Sequence, residues 1–164
     1  MIELKSYRDK WLAEGIDDFI GFYNREFYCL DNFSSFKVYY QGMLFSTVEE
    51  GYQAIGFIET APVVAERIMK SNSAHMAKKI AHENLYLRRA DWDKVKLGIM
   101  ENLLRAKLEQ HEYVRQKLME TRDYQIVEDS PKDSYWGCGP DRKGLNHLGR
   151  LWMKLRQEER EKSW

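Results

Sequence analysis

The most regular hydrophobic pattern in the chain follows Asp91 and predicts a long helix. Apolar residues recur every three or four positions and form one stripe, whereas charged residues line the opposite face. The stripe consists of Trp92, Val95, Ile99, Met100, Leu103 and Leu104. Because Asp is a favoured residue at helix starts, we expect Asp91 to be the N-cap. The apolar spacing resumes after a break near Gln110, at Tyr113, Val114, Leu118 and Met119, and predicts a second helix there.

Other segments also have helical spacing. Helix starts are predicted at Thr47, at Thr60 with Pro62, at Ser73 for a short helix through Ala81, and near Asn146. The last of these is expected to bury Leu148, Leu151, Trp152 and Leu155 and to end in a solvated run from Arg156 to Lys162. A weaker helical pattern covers Met1 to Gly15.

Short apolar segments with turn residues between them predict strands. Asp18 to Tyr23 and Tyr124 to Glu128 each fit one strand, and Phe36 to Tyr40 with Met43 to Phe45 fit a hairpin closed by Gln41 and Gly42. Leu30 to Ser35 is rich in Asp, Asn and Ser and predicts a turn.

These elements predict an α+β fold that is mainly helical, with a small N-terminal β-hairpin or sheet packed on the helices. The length of 164 residues fits a single domain over 1–164, with an N-terminal extension at 1–17 and a charged tail at 157–164.

Composition narrows the classes of function. Lys and Arg number 26 and Asp and Glu also number 26, so no net charge attracts nucleic acid or an anionic membrane. No apolar run is long enough to span a membrane, and Cys29 and Cys138 form no ligand-type pair, so we expect a cytoplasmic protein with free thiols. His75 and His82 lack carboxylate or cysteine partners at metal-binding spacing, so no metal or cofactor is expected.

The stretch from Ser46 to Ala54 offers a candidate carboxylate. Thr47 with Glu50 fits a capping box, and Glu49 then lies in the first turn of the helix, where the helix dipole favours a charged acid. An ionised carboxylate can orient water or face a developing cation. On local grounds alone, Glu49 and Glu50 also fit ordinary first-turn acids.

A second informative stretch runs from Asp133 to Gly144. It combines glycines with Tyr135 and Trp136 and lacks apolar periodicity, which predicts a long structured loop. It fits a binding loop in which Trp136 stacks on a ligand and Asp133 supplies a carboxylate. It fits equally a glycine-rich turn in which Trp136 plugs the core.

Taken together, these stretches resemble the YbiA-like family, also called the NADAR superfamily, over about residues 22–156. The similar motifs are Leu30-Asp31-Asn32-Phe33, Thr47-Val48-Glu49 with Tyr52-Gln53-Ala54, Arg89-Ala90-Asp91-Trp92 and Arg105-Ala106-Lys107-Leu108. The C-terminal motif comprises Glu128, Asp133, Trp136-Gly137-Cys138-Gly139, Gly144, Asn146, Leu148-Gly149, Met153 and Arg156.

The resemblance implies a hydrolase that cleaves an N-glycosidic bond. Its substrate would be a phosphorylated ribosylamino-pyrimidine of the riboflavin pathway or ADP-ribosylated guanine, as a small molecule or in modified nucleic acid. The family associations give catalytic roles to Glu49 and Asp133. They give substrate-binding roles to Asn32, Phe33, Gln53, Arg89, Trp92, Trp136, Gly137, Gly139 and Asn146.

The chain departs from the family pattern at three positions. Glu50 stands where the family has His, Gly56 where it has Lys, and Asp31 where it has Ser. Three interpretations follow: an active glycosidase with a shifted substrate, an enzyme slowed by the loss of an assisting group, or an ADP-ribose or nucleotide-binding module without turnover. A role in protein interaction through the charged ends is a further alternative.

Overall fold

The helices and strands of the chain fall into two units. The computed structural model describes residues 19–22 and 26–162. One unit is the continuous segment Tyr28–Met119, and the other combines the chain up to Phe27 with Glu120–Trp164. The prediction of one domain over the whole chain stays a prediction, whereas the mainly helical α+β fold with a small hairpin is confirmed.

The segment Tyr28–Met119 contains a hairpin and five helices. Its strands are β2 Val38–Tyr40 and β3 Met43–Phe45, and its helices are α1 Val48–Ile55, α2 Pro62–Met69, α3 Ala74–Glu83, α4 Trp92–Gln110 and α5 Glu112–Glu120, whose last residue belongs to the other unit. Short 3₁₀ helices cover Tyr28–Leu30 and Leu85–Leu87. Gln41 and Gly42 have φ values of 50° and 79°, as the predicted two-residue hairpin turn requires.

Helix α1 begins as predicted at Thr47, whose hydroxyl accepts a hydrogen bond from the Glu50 amide at 3.1 Å. The return bond differs from the standard capping box, because the Glu50 carboxylate accepts from the amide of Ser46, at 3.0 Å, and not from that of Thr47. Glu50 is thereby a buried capping residue.

Helix α1 lies close to both the hairpin and α4. A Cβ atom added at Gly51 would lie 2.9 Å from the Phe45 ring and 3.1 Å from the Leu103 side chain. Every residue of α1 is buried. Gly51 is therefore required for close packing, and it holds the first turn of α1 against the core of this unit.

The hairpin is fastened to the end of α4 by polar contacts. The Gln110 side chain donates to the Tyr39 carbonyl and accepts from the Tyr39 amide, both at 2.8 Å. A His111 ring nitrogen lies 2.6 Å from the Lys37 carbonyl. These contacts satisfy backbone hydrogen-bonding groups at the exposed edge of β2. They lie at the predicted break between α4 and α5.

A fully buried lysine anchors the turn at Leu30 to Ser35. Lys107 of α4 has no exposed surface, and its ammonium donates to the Asp31 carbonyl at 2.9 Å and to the Ser34 hydroxyl at 2.7 Å. It also lies 5.2 Å from the centre of the Phe36 ring. Burial lowers the pKa of Lys107 to about 7, against the opposing influence of Cys29 and Asp31.

In the second unit, two strands that lie before and after Tyr28–Met119 in the sequence form a parallel pair. Strand β1 Phe19–Gly21 pairs with β4 Gln125–Val127, and helix α6 His147–Lys162 packs on β4. A Cβ atom at Gly149 would lie 2.0 Å from the Ile126 carbonyl oxygen, so only glycine allows α6 to approach the strand this closely. Both strand segments were predicted, but their pairing was not.

Several sequence expectations need correction. Asp91 makes no side-chain cap, because its carboxylate pairs with Arg89 instead. The run at the end of α6 is not wholly solvated, since Arg156 and Glu159 are buried. Arg156 donates to the Thr121 hydroxyl at 2.8 Å and to the Tyr124 carbonyl at 2.9 Å.

Other expectations concern residues that the structure does not describe. The predicted helix at Met1 to Gly15, the extension at 1–17, and Ser163 and Trp164 of the tail lie outside the described residues. Within residues 19–22 and 26–162, no helix combines the length and apolar composition that a membrane crossing requires.

The buried Lys107 predicts a pH-dependent stability. Because the folded pKa of about 7 lies below the value in the unfolded chain, unfolding takes up a proton between about pH 7 and roughly pH 10.4. The free energy of unfolding should therefore rise with pH across this window, by up to about 1.4 kcal/mol per pH unit from this group. Urea unfolding of the protein and of Lys107→Met should show that the variant lacks this contribution.

The exposed Lys70, which directly follows α2, provides the matched control. Lys70→Met should keep the slope of the unmodified protein. A Lys107→Met variant with the same slope as the unmodified protein would contradict the lowered pKa of Lys107 in the fold.

Candidate functional site

Glu49 lies buried at the start of α1. Its backbone amide donates to the Asn32 carbonyl at 3.1 Å, which ties the first turn of α1 to the turn at Leu30 to Ser35. Its carboxylate accepts a hydrogen bond from the Gln53 side chain, one helical turn further on, at 2.7 Å. Only 5% of Glu49 is exposed. The predicted carboxylate is thus held in a fixed position by two named partners.

Gln53 connects Glu49 to an arginine that the sequence analysis missed. The Arg88 guanidinium donates to the Gln53 side-chain oxygen at 2.6 Å. Its central carbon lies 4.9 Å from the centre of the Trp92 ring and 5.1 Å from that of Phe57. The result is a continuous polar chain from Arg88 through Gln53 to Glu49, bordered by two aromatic rings.

The predicted substrate-binding Arg89 points elsewhere. Its guanidinium makes a two-point contact with the Asp91 carboxylate, at 2.6 and 2.9 Å, and its side chain is 25% exposed. Arg88 and Arg89 lie in the bend between the 3₁₀ helix Leu85–Leu87 and α4. Their side chains point to different partners, Gln53 and Asp91. Helical spacing carries no signal for which of the two turns inward, so sequence reasoning could not distinguish them.

The turn that precedes α1 carries Asn32 and Phe33. Asp31 accepts from the Phe33 amide at 2.7 Å, which confirms the predicted turn. Asn32 donates to the Met100 sulfur at 3.4 Å, and among the described residues its buried side-chain oxygen has no hydrogen-bond partner. Phe33 is half-buried, with the His75 ring 4.8 Å away and the Lys78 ammonium 5.9 Å from its centre.

Positive charge surrounds this region. Burial raises the pKa of Asp31, while Lys107, His75 and Lys78 act in the opposite direction. The pKa of His82 is lowered by burial and also by the charges of Lys78 and Arg88. The Phe33 amide and these cations therefore offset part, but not all, of the cost of burying the Asp31 carboxylate.

The other unit holds the glycine-rich loop. Asp133 accepts hydrogen bonds from the amides of Tyr135 and Trp136 at 2.9 and 2.7 Å, so its carboxylate shapes the loop. Trp136 is half-buried and forms an aromatic cluster with Tyr135 and His147, with ring centres 4.9 and 6.3 Å away. Trp136 is thus packed on two neighbouring rings without being fully buried.

The other predicted residues of this loop support its backbone. Gly137 leaves no room for a side chain, because its Cβ would lie 2.7 Å from the Glu128 carbonyl. Gly139 has a φ of 69°, which favours glycine. The Asn146 side chain donates to the Ile126 carbonyl and accepts from the Glu128 amide, each at 2.9 Å. Both ends of this amide are engaged with β4 and the residue that follows it.

The thiol in this loop is structural. Cys138 is buried, and Arg142 donates to its sulfur at 3.1 Å and also pairs with Asp129. Burial raises the pKa of Cys138 to about 11, so the thiol stays protonated at neutral pH. Among the residues that the structure describes, no three His, Cys, Asp or Glu side chains come together as metal ligands.

The predicted site residues therefore form two groups. Within the segment Tyr28–Met119, the structure brings together Asn32, Phe33, Glu49, Gln53 and Trp92 and adds Arg88. Within the other unit, one loop and the start of α6 carry Asp133, Trp136, Gly137, Gly139 and Asn146. The first group contains the buried carboxylate and is the candidate active site.

Comparison with known proteins gives a consistent result. The NADAR domain matches residues 19–160. N-glycosidase Npun_R5314 of Nostoc punctiforme is 36% identical over 133 residues, which cover 80% of this chain and 85% of that protein. N-glycosidase YbiA of Escherichia coli is 33% identical over 144 residues, which cover 87% of this chain and 89% of that protein.

A longer relative and a solved structure extend the comparison. Riboflavin biosynthesis protein VVA0006 of Vibrio vulnificus is 30% identical over 132 residues, which cover 80% of this chain and 35% of that protein. The NMR structure of Escherichia coli YbiA superposes with a TM-score of 0.81 at 32% identity, and the match covers 90% of this chain and 88% of that one.

The contacts of Asp133 predict different effects for two substitutions. Asp133→Ala removes the acceptor of two amides and should lower the free energy of unfolding by about 1 to 2 kcal/mol. Asp133→Asn keeps a side-chain oxygen for the same amides and should stay close to the unmodified protein. Urea unfolding measures both, and an Asn variant as unstable as the Ala variant would contradict the role of the oxygen in shaping the loop.

Proposed function

The chain belongs to the NADAR domain family and is an N-glycosidase, and we propose that the Glu49 carboxylate is the centre of its reaction. One observation supports this proposal above the others. Glu49 is a buried acid that is hydrogen-bonded to Gln53, which is itself held by Arg88, within the segment that resembles the family motif.

Cleavage of an N-glycosidic bond has a simple chemical requirement. The C1′–N bond breaks with its electron pair going to nitrogen, and the sugar passes through an oxocarbenium-like state. Water then adds its oxygen to C1′ and gives up one proton, and the departing nitrogen takes up one proton, so that one water is divided between the sugar hydroxyl and the free base. A fixed carboxylate beside C1′ stabilises the cationic sugar and accepts the proton of the attacking water.

The surrounding residues take positioning roles in this proposal. Asn32 has a buried side-chain oxygen without a partner, which suits acceptance of a hydrogen bond from a ribose hydroxyl. Phe33 is half-buried and offers an apolar surface. Trp92 is buried against Tyr52, with ring centres 4.9 Å apart, so it shapes the wall of the site. Gln53 acts on the substrate through Glu49, because both ends of its amide are engaged.

Substrate-binding roles are also proposed for Arg89 and, within the other unit, for the residues of the glycine-rich loop. Trp136 exposes part of its ring and can stack on a base, while Asp133, Gly137, Gly139 and Asn146 fix the loop that presents it. Arg89, partly exposed and paired with Asp91, suits contact with a phosphate.

We propose a phosphorylated ribosyl compound as the substrate. The cations Lys78 and Arg88 near Phe33 and Gln53 favour an anionic molecule. Ribosylamino-pyrimidine phosphates of the riboflavin pathway fit this chemistry, and a related protein carries the name of riboflavin biosynthesis. ADP-ribosylated guanine, free or in modified nucleic acid, is the second substrate class. The reaction would take place in the cytoplasm.

Replacing Glu49 tests the proposal directly. Glu49→Gln keeps an oxygen for the Gln53 amide, so the fold should persist, but it removes the negative charge opposite the developing cation. Release of free base from a ribosylamino-pyrimidine phosphate and from ADP-ribosylated guanosine should fall by about a thousandfold, the scale of losing one preorganised electrostatic group. Chromatography of the freed base measures the rate, and thermal unfolding checks the fold.

Glu66→Gln on α2 is the matched control, since that carboxylate is exposed and pairs only with Lys70 among the contacts described. It should keep full activity. A Glu49→Gln variant with unchanged turnover would refute the role of Glu49. Binding of ADP-ribose by the unmodified protein with no base release from either substrate would favour the nucleotide-binding module instead.

A further inference from the structure

We propose that Arg88 is the positioning residue for Glu49 and that it supplies, from the bend before α4, the positive charge that the family motif places at position 56. This inference rests on the proposed role of Glu49 as the reacting carboxylate. It explains how the site can work with glycine at position 56.

The geometry of the guanidinium is the first support. Phe57 and Trp92 both face the guanidinium, with ring centres 5.1 and 4.9 Å from its central carbon. Arginine stacks well on aromatic rings because its charge is spread over a plane. Its end nitrogen is 2.6 Å from the Gln53 oxygen. Two aromatic contacts and one hydrogen bond therefore restrict both the position and the orientation of the group.

Arg88 also determines which way the Gln53 amide faces. Arginine has only donors, and a carboxylate has only acceptors. The amide between them must therefore turn its oxygen to Arg88 and its NH₂ group to Glu49, which is the arrangement observed at 2.6 and 2.7 Å. A flipped amide would face donor with donor and acceptor with acceptor. The Glu49 oxygen that accepts from Gln53 is thus fixed through Arg88.

Gly56 makes room for this arrangement. A Cβ atom at position 56 would lie 3.2 Å from Nε and 3.3 Å from Cγ of Arg88. The bend also bonds back to the end of α1, because the Arg89 amide donates to the Gly56 carbonyl at 2.9 Å. A side chain at position 56 would therefore press on the Arg88 side chain, which would have to shift by a few tenths of an ångström. The inward position of Arg88 therefore depends on the absence of a side chain at position 56.

The chemistry of arginine differs from that of lysine in one respect. Burial lowers the pKa of Arg88, while Tyr52, Glu49 and Asp93 oppose this effect. A guanidinium remains protonated under all ordinary conditions and does not form an imine with a sugar aldehyde. In this chain the group acts only through charge and hydrogen bonding, and the sugar is released by attack of water.

Kinetics of Arg88→Met test the inference. With either proposed substrate, kcat should fall ten- to a hundredfold, because Gln53 is no longer oriented. The acid limb of the pH–rate profile should move to higher pH, because the carboxylate loses a neighbouring cation. Arg88→Lys should recover part of the rate. Arg67→Met, which removes an exposed arginine of α2, should match the unmodified protein in both rate and profile.

Position 56 provides a second and independent test. Gly56→Lys alone should lower kcat, because the new side chain displaces Arg88. Combining Gly56→Lys with Arg88→Ala should recover at least part of that loss, since the larger side chain is gone and an amine is present. A fully active Gly56→Lys protein, or a double variant less active than both single ones, would overturn the inference.

The outcomes separate this inference from the proposed function. If Glu49→Gln is inactive while Arg88→Met keeps both its rate and its acid limb, the role of Arg88 is refuted and that of Glu49 stands. If Glu49→Gln stays active, the proposed function itself fails. Thermal unfolding supplies a readout that needs no turnover. The Tm losses of Glu49→Gln and Arg88→Met should not add in the double variant, and additive losses would overturn the coupling.

Discussion

The buried ammonium of Lys107 is the interaction on which the candidate site depends. It fixes the turn at Leu30 to Ser35 by bonding to a carbonyl and a hydroxyl within that turn. The next contact passes from the Asn32 carbonyl to the Glu49 amide, so the start of α1 is located by the same turn. Removal of a charged group from water is costly, and the hydrogen bonds and the Phe36 ring offset that cost. The position of Glu49 thus depends on Lys107, which acts through the turn at Leu30 to Ser35.

Local signals in the sequence predicted much of the fold. Gln41 and Gly42 can adopt positive φ values, and Thr47 and Ser73 have side chains that satisfy free amides at helix starts. Such features depend on a few neighbouring residues, so they can be recognised without the fold. Asp91 is the N-cap of α4 as predicted, but its side chain makes no cap hydrogen bond, because its carboxylate pairs with Arg89, two residues away. A residue type that suits a cap does not show which partner it will take.

The candidate site was predictable only in part. Glu49 and Gln53 lie one helical turn apart, so their contact follows from α1 alone. Arg88 reaches Gln53 across a wide gap in sequence, and its inward direction depends on the bend that precedes α4. Lys107 lies in a motif that resembles the family and continues the stripe of Met100, Leu103 and Leu104, but its residue type did not indicate burial, because lysine is usually exposed. Its burial depends on acceptors in a distant turn, which the pattern along α4 does not show.

The parallel pairing of β1 with β4 has a consequence for folding during synthesis on the ribosome. Tyr28–Met119 is continuous, so all the contacts within it become available as soon as that segment has emerged. β1 precedes that segment in the sequence, whereas its partner strand and the helix that packs on that partner follow it. β1 can therefore pair with β4 only after the whole of Tyr28–Met119 has been synthesised. Bringing the two strands together also closes a long loop of chain, an entropic cost that grows slowly with loop length. The hairpin β2–β3, whose strands are joined by a two-residue turn, can form well before this pair.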